Sequence, residues 1–153
     1  PLVSKYVVWN THKGIEDAIN LLKKWEESYE KLTSYKWVVI EKETNTIIGA
    51  ITAVKVDEIN NTIALGYCYG SNWWNKGYAT ETLKRVIKFF FEEVKARRVY
   101  AKHATGNPNS GRVMQKIGMK KEGIIRQSGS CNQGIVDEVY YSILRNEYFS
   151  NDN

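Results

Sequence analysis

Three features of the chain predict an α+β domain built on a mixed, mostly antiparallel sheet flanked by helices. Six short stretches rich in β-branched and aromatic residues, at 35–41, 47–56, 62–69, 98–104, 122–128 and 135–144, read as strands. Two longer stretches, at 11–32 and 80–94, carry apolar residues at helical spacing. The first three strands are joined only by brief turns, at Thr44-Asn45-Thr46 and Asn60-Asn61, so they run antiparallel before a helix carries the chain onward. With 153 residues, 42% of them hydrophobic, there is enough chain for one domain with a real core, spanning 1–153.

Taken in order, the helix at 11–32 aligns Ile15, Ala18, Ile19, Leu22, Trp25 and Tyr29 on one stripe. The helix at 80–94 sets Leu83, Val86, Ile87, Phe90 and Val94 on one face, with Glu81, Lys84, Arg85, Lys88 and Glu92 mostly opposite. A short helix at 109–117 is ended by Gly118. The last two strands flank a polar turn at 129–134. There is no internal repeat and no low-complexity linker.

The junction Trp73-Trp74-Asn75-Lys76-Gly77-Tyr78-Ala79-Thr80-Glu81 joins a strand to a helix N-terminus. Unpaired first-turn amides and the positive end of the helix dipole favour an anion there. Gly77 allows close backbone approach and Ala79 leaves room beside the helix, so the junction reads as a phosphate cradle, with an ordinary loop-to-helix connection as the alternative. A net charge of +5 and a pI near 9.1 suit a polyanionic ligand, and equally general solubility. Cys68 and Cys131 make neither a disulfide framework nor a metal spacing, and His12 and His103 show no triad or metal pattern. No apolar run approaches the ~20 residues of a membrane span, and Pro1 to Asn10 has no signal-peptide pattern, so a cytoplasmic location is expected.

A second motif, Asn107-Pro108-Asn109-Ser110-Gly111-Arg112 through Lys116-Ile117-Gly118-Met119 to Glu122-Gly123, follows the strand at 98–104. Together with Gly66-Tyr67, the Trp74–Glu81 loop and the closing Asp137-Glu138-Val139-Tyr140-Tyr141-Ser142-Ile143-Leu144 strand, it resembles the GNAT superfamily of acetyl-CoA-dependent N-acetyltransferases. Within that superfamily it is similar to the RimJ/RimL-type enzymes that acetylate the N-terminal alanine of ribosomal proteins. The resemblance runs from about Val3 to Tyr148. It implies the GNAT fold, acetyl-CoA as cosubstrate, and a primary amine as acceptor. The acceptor is a peptide or protein N-terminus, or else a polyamine, aminoglycoside or amino-acid-like metabolite. A non-catalytic acyl-CoA-binding module is the competing class. It also implies an opening strand and helix ahead of Ser4, for which the residues present leave no room. The expectation is an N-terminally incomplete domain, or a sheet edge completed by a neighbouring chain in a homodimer.

The resemblance also assigns site residues. The backbone from Asn75 through Lys76, Gly77, Tyr78 and Ala79 to Thr80 would hold the pyrophosphate, and the pantetheine arm would lie along Tyr67-Cys68-Tyr69. A splay beside that strand would aim one amide, placed by position at Cys68, at the thioester carbonyl. Cys68 as a small buried hydrophobe is the alternative. Asn107 would touch the coenzyme arm, or else serve as a turn residue. Ser110 would protonate the departing thiolate, or else cap the following helix. Lys76 and Arg112 are candidate phosphate contacts, or else solvated surface charges. Trp73 and Trp74 wall the adenine or substrate region, or else are buried under the loop. Glu58, Asp137 and Glu138 are candidate bases, with a hairpin-organising acid as the alternative at Asp137 and proton loss through water as the alternative to all three. No membrane partner and no direct nucleic-acid contact are expected, because the basic residues lack interleaved aromatics.

Overall fold

A computed structural model describes residues 2–9, 13–30 and 34–150. The first helix, α1 (Ile15–Ser28), lies within the expected stretch, but none of its residues is buried. Residues 11, 12, 31 and 32 of that stretch lie outside the described residues. Three antiparallel strands follow: β1 (Lys36–Glu41), β2 (Thr46–Asp57) and β3 (Thr62–Tyr69). A 3₁₀ turn (Ser71–Trp73) leads to α2 (Tyr78–Glu92), then β4 (Arg98–Ala104) and α3 (Pro108–Lys116). The hairpin β5 (Lys120–Cys131) and β6 (Gly134–Leu144) and the short α4 (Arg145–Ser150) complete the chain.

The six strands form one sheet in the order β1-β2-β3-β4-β6-β5. Every neighbouring pair is antiparallel except β3 and β4, which run parallel because α2 carries the chain back between them. Among the described residues no strand precedes β1, which therefore forms an edge. Leu83, Ile87, Phe90 and Phe91 of α2 are fully buried over a sheet face made by Ile51, Ile63, Leu65, Val99 and Ala101. Each such side chain contributes roughly 1.5–3 kcal/mol by leaving water. Tyr35, Trp37, Phe89 and Phe90 close one end of this layer through edge-to-face contacts with centroids 5.1–5.8 Å apart.

Two expectations need correction. The final turn is not 129–134: Cys131 pairs with Gly134, leaving only Asn132 and Gln133 as the loop, with Gly134 at φ +95°. Ser128-Gly129-Ser130 has turn-like composition but lies in β5, where a β-bulge sits between Ile125 and Gly129. A Cβ on Gly129 would stand 2.3 Å from Glu138 Oε1, so glycine there answers a close side chain rather than a turn. The second correction concerns α2, which starts at Tyr78 with Gly77 as its N-cap, two residues ahead of the expected start.

Candidate active site

β3 and β4 pair only from Thr62–Arg98 to Leu65–Ala101. Beyond that point β3 continues beside β2 to Tyr69 and β4 continues beside β6 to Ala104, so the centre of the sheet opens into a wedge. Ladder geometry decides which amides face the wedge. Gly70 N donates to Ile48 O at 2.9 Å, and Ala50 stands opposite Cys68 in the same register. Alternation therefore turns the Cys68 amide toward β2 and those of Tyr67 and Tyr69 toward the opening. The Cys68 amide, expected to serve an oxyanion, therefore faces β2, and the amides that open on the wedge are those of its two neighbours, for a reason that residue type does not reveal.

The wedge widens into a cleft of about 570 Å³. Its floor is Tyr67, Cys68 and Tyr69; one wall is Trp73, Trp74, Asn75, Gly77, Tyr78, Ala79 and Thr80; the other is Gly106, Asn107, Asn109, Ser110, Arg112 and Val113. Two helix N-termini face this space, and neither α2 nor α3 has a side-chain cap. Asn75 (φ +60°) and Gly77 (φ +89°) place two left-handed residues in the loop ahead of α2, a backbone shape that turns amides inward to an anion. A Cβ on Gly77 would meet nothing within 4 Å, so the space above it is open. Trp74 Nε1 donates to Tyr69 O at 2.8 Å and fixes the loop to the end of β3. Glu41 accepts hydrogen bonds from Tyr78 and, at 2.6 Å, from Thr44, and these hold its carboxyl below the usual range. These features fit an acyl-CoA group: backbone donors for its phosphates and a free strand edge for its arm.

All the residues expected to bind the coenzyme line the cleft except Lys76, whose side chain is exposed outside it. Ser110 is not the cap of α3. Asn107 holds that position, and Ser110 sits in the first turn with its Oγ 2.8 Å from the Tyr67 hydroxyl. The Tyr67 hydroxyl also donates to Ser110 O at 3.0 Å, and burial pushes its pKa up to about 12. Arg112 donates to Asn109 Oδ1 at 3.3 Å from an exposed position. Burial raises the Cys68 thiol, leaving it a poor nucleophile.

None of the three candidate bases lines the cleft. Glu58 is exposed in the β2–β3 connection. Asp137 accepts Gln127 N at 2.8 Å and organises the bulge of β5. Glu138 is buried and bound by Lys102 Nζ at 2.7 Å and Ser128 Oγ at 2.9 Å. Among the described lining residues there is no carboxylate at all, whereas Lys5, Arg112 and Lys116 are present. His103 is packed under α3 rather than lining the cleft, and His12 lies outside the described residues. No group of three or more potential metal ligands occurs among the described residues, and no helix there is long and apolar enough to cross a membrane.

Sequence spacing did not foresee that the N-terminal segment helps to build this site. Leu2, Val3, Lys5, Tyr6 and Val7 line the mouth beside Gly106, whose absent Cβ would lie 3.0 Å from the Tyr6 ring. Nor did it foresee the Tyr67 hydroxyl as the partner of Ser110, 43 residues away. Both arise from tertiary contact and leave no local pattern.

Residues 1–120 match the acetyltransferase (GNAT) domain family. The chain is 26% identical over 148 residues to an uncharacterised N-acetyltransferase of Bacillus licheniformis, covering 97% of this chain and 83% of that protein. The fold matches a ribosomal-protein-S5-alanine acetyltransferase from Vibrio fischeri with a TM-score of 0.84 at 20% identity, over 94% of this chain and 80% of that one. It matches a spermidine N-acetyltransferase from Vibrio cholerae with a TM-score of 0.79 at 16% identity, over 97% and 86%. One fold thus serves a protein acceptor in one case and a polyamine in the other, so it cannot choose between them. With the wedge between two parallel strands and the uncapped, glycine-led helix beside it, the match over residues 1–120 makes this chain a member of the GNAT family of acetyl-CoA-dependent N-acetyltransferases.

Proposed function

We propose that the chain acetylates the α-amine of a peptide or protein N-terminus, by direct attack within a ternary complex. The observation that carries this reading is the cationic cleft, with no carboxylate among its described lining residues. A polyamine needs acidic partners, and a lysine side chain with its pKa near 10.4 needs a base to become nucleophilic. An α-amine, with a pKa of about 7.7–8.0, is already about one-third neutral near pH 7.5, against about one-thousandth for lysine. It can lose its proton to water in a site that offers no base.

Acetyl-CoA supplies the acetyl group as an activated thioester. The amides of Tyr78, Ala79 and Thr80, with the loop from Asn75 to Gly77, bind its phosphates, and Arg112 stands at the rim. The amides of Tyr67 and Tyr69 hold the arm and meet negative charge as it develops on the carbonyl oxygen. Asn107 borders the same arm. Ser110 Oγ gives its proton to the departing sulfur and regains one from water, to which the attacking amine has released its own; the Tyr67 hydroxyl, 2.8 Å away and kept protonated by burial, orients it. Cys68 is not an acyl carrier, since its thiol is held neutral and no histidine lies next to it in the chain.

The test is acetyl transfer to four acceptors: a peptide with a free N-terminus, the same peptide blocked at its N-terminus but carrying lysine, a free amino acid, and spermidine. Turnover of the first, with the blocked peptide and spermidine inert, is the expected result. Spermidine turnover with kcat/KM equal to or above that of the peptide sinks the reading. Turnover of the free amino acid alone would reassign the acceptor to a metabolite.

A further inference from the structure

The segment Leu2 to Trp9 contains no helix or strand, yet it lines the mouth of the cleft, and its Ser4 is only 8% exposed. Something must hold it there. Asn132, one of the two loop residues between β5 and β6, makes three hydrogen bonds to it. Its Nδ2 donates to Ser4 O at 2.8 Å and to Trp9 O at 2.9 Å, and its backbone N donates to Val7 O at 3.1 Å. One side chain thus bridges two carbonyls five residues apart, with a third contact between them. The segment's inner side carries Lys5 and Tyr6, with the Lys5 ammonium 5.1 Å from the centroid of the Tyr6 ring. That ring abuts Gly106, next to Asn107 on the wall of the cleft.

We infer that Asn132 is a positioning residue for the amine acceptor. It fixes the N-terminal segment as the wall that the acceptor meets, without touching the coenzyme side. The inference rests on the transferase reading above. The chemistry is specific to an amide side chain. Both Nδ2 hydrogens are used on carbonyl oxygens, so a carboxylate of the same shape would lose both bonds and set lone pairs against lone pairs.

The experiment uses the full chain with Asn132→Asp and, as a second variant, Asn132→Ala. Acetyl-CoA affinity is measured by calorimetry, acceptor KM and kcat by initial rates, and tryptic cleavage after Lys5 by mass spectrometry. The rates are taken with whichever amine the wild-type chain accepts, so an error in the acceptor class leaves this comparison intact. The expected result is an acceptor KM raised at least fivefold, kcat within about twofold, acetyl-CoA Kd unchanged, and faster cleavage at Lys5. An unchanged acceptor KM overturns the proposal, even if cleavage is faster. A parallel loss of acetyl-CoA affinity overturns it too, because Asn132 would then act on the whole fold. Unchanged cleavage in both variants removes the clamp itself.

Discussion

The Ser110–Tyr67 pair and Gly77 are the residues on which the proposed chemistry turns. Ser110→Ala removes the proposed acid while leaving the first turn of α3 intact, since Ser110 does not cap it. The expected outcome is a fall in kcat of about 10²-fold, within the range of positioned acid catalysis, with acetyl-CoA Kd little changed in calorimetry. At Gly77 the backbone sits at φ +89° with open space where a Cβ would go. Gly77→Leu therefore combines a strain of roughly 1–2 kcal/mol with obstruction of the phosphate approach. Gly134, also left-handed at φ +95° with nothing within 4 Å, provides the control. Gly134→Leu should lower the thermal midpoint by a similar amount and spare acetyl-CoA affinity, which Gly77→Leu should reduce at least tenfold. At this scale the sequence motifs were informative wherever function is carried by backbone or by local spacing. They failed for Cys68, because strand parity and not side-chain type decides which amide faces the wedge. For Asp137 and Glu138 residue type leaves two roles open, and tertiary contact decides: Asp137 organises the β5 bulge and Glu138 is held by Lys102.

Among the elements, α3 depends on one close contact. A Cβ on Gly111 would stand 2.6 Å from His103 Nε2, and His103 is itself fixed by its Nδ1 against Ala104 O at 2.8 Å and by stacking on Tyr141. Gly111→Ala should force α3 off β4, at a cost of about 1–3 kcal/mol in urea denaturation, and should slow turnover because Ser110 moves with the helix. Adding His103→Ala should restore stability beyond the sum of the single effects, which a double-mutant cycle would measure. The elements themselves were largely legible. β3 and β4 fall at their expected bounds, because alternating or continuous apolar runs flanked by turn residues mark them clearly. What the local pattern does not show is α4, whose Arg145 is placed by bonds to Arg97, just ahead of β4, and to Phe91 of α2, and the reach of β5 and β6 through a glycine- and serine-rich stretch. The amphipathic stripe of α1 marks a helix, but its apolar side chains remain outside the core.

For the molecule as a whole, two buried groups set opposite limits on stability. His103 is kept neutral, its pKa lowered from 6.5 by burial. Its contribution is complete above that pH and is lost as pH falls below it. Tyr67, raised from 10.0 to about 12, contributes fully below pH 10 and loses that contribution as pH rises toward 12. Urea midpoints across pH should therefore decline at both ends. His103→Gln should flatten the acidic limb below pH 6.5, and Tyr67→Phe the alkaline limb above pH 10. The fold class and the family motifs were readable along nearly the whole chain, since core periodicity and loop chemistry are local properties. The acceptor wall was not, because it forms only when Asn132 meets a segment more than a hundred residues away. The wedge between β3 and β4 has one more consequence. It is a sheet edge in the interior of the molecule, and without a ligand its amides on β3 lack a strand to pair with. A coenzyme arm lying there would act as a surrogate strand, so occupancy and folding are thermodynamically linked: a ligand at 100 times its Kd adds about 2.7 kcal/mol. Acetyl-CoA should therefore raise the urea midpoint of the chain in proportion to the logarithm of its concentration above Kd.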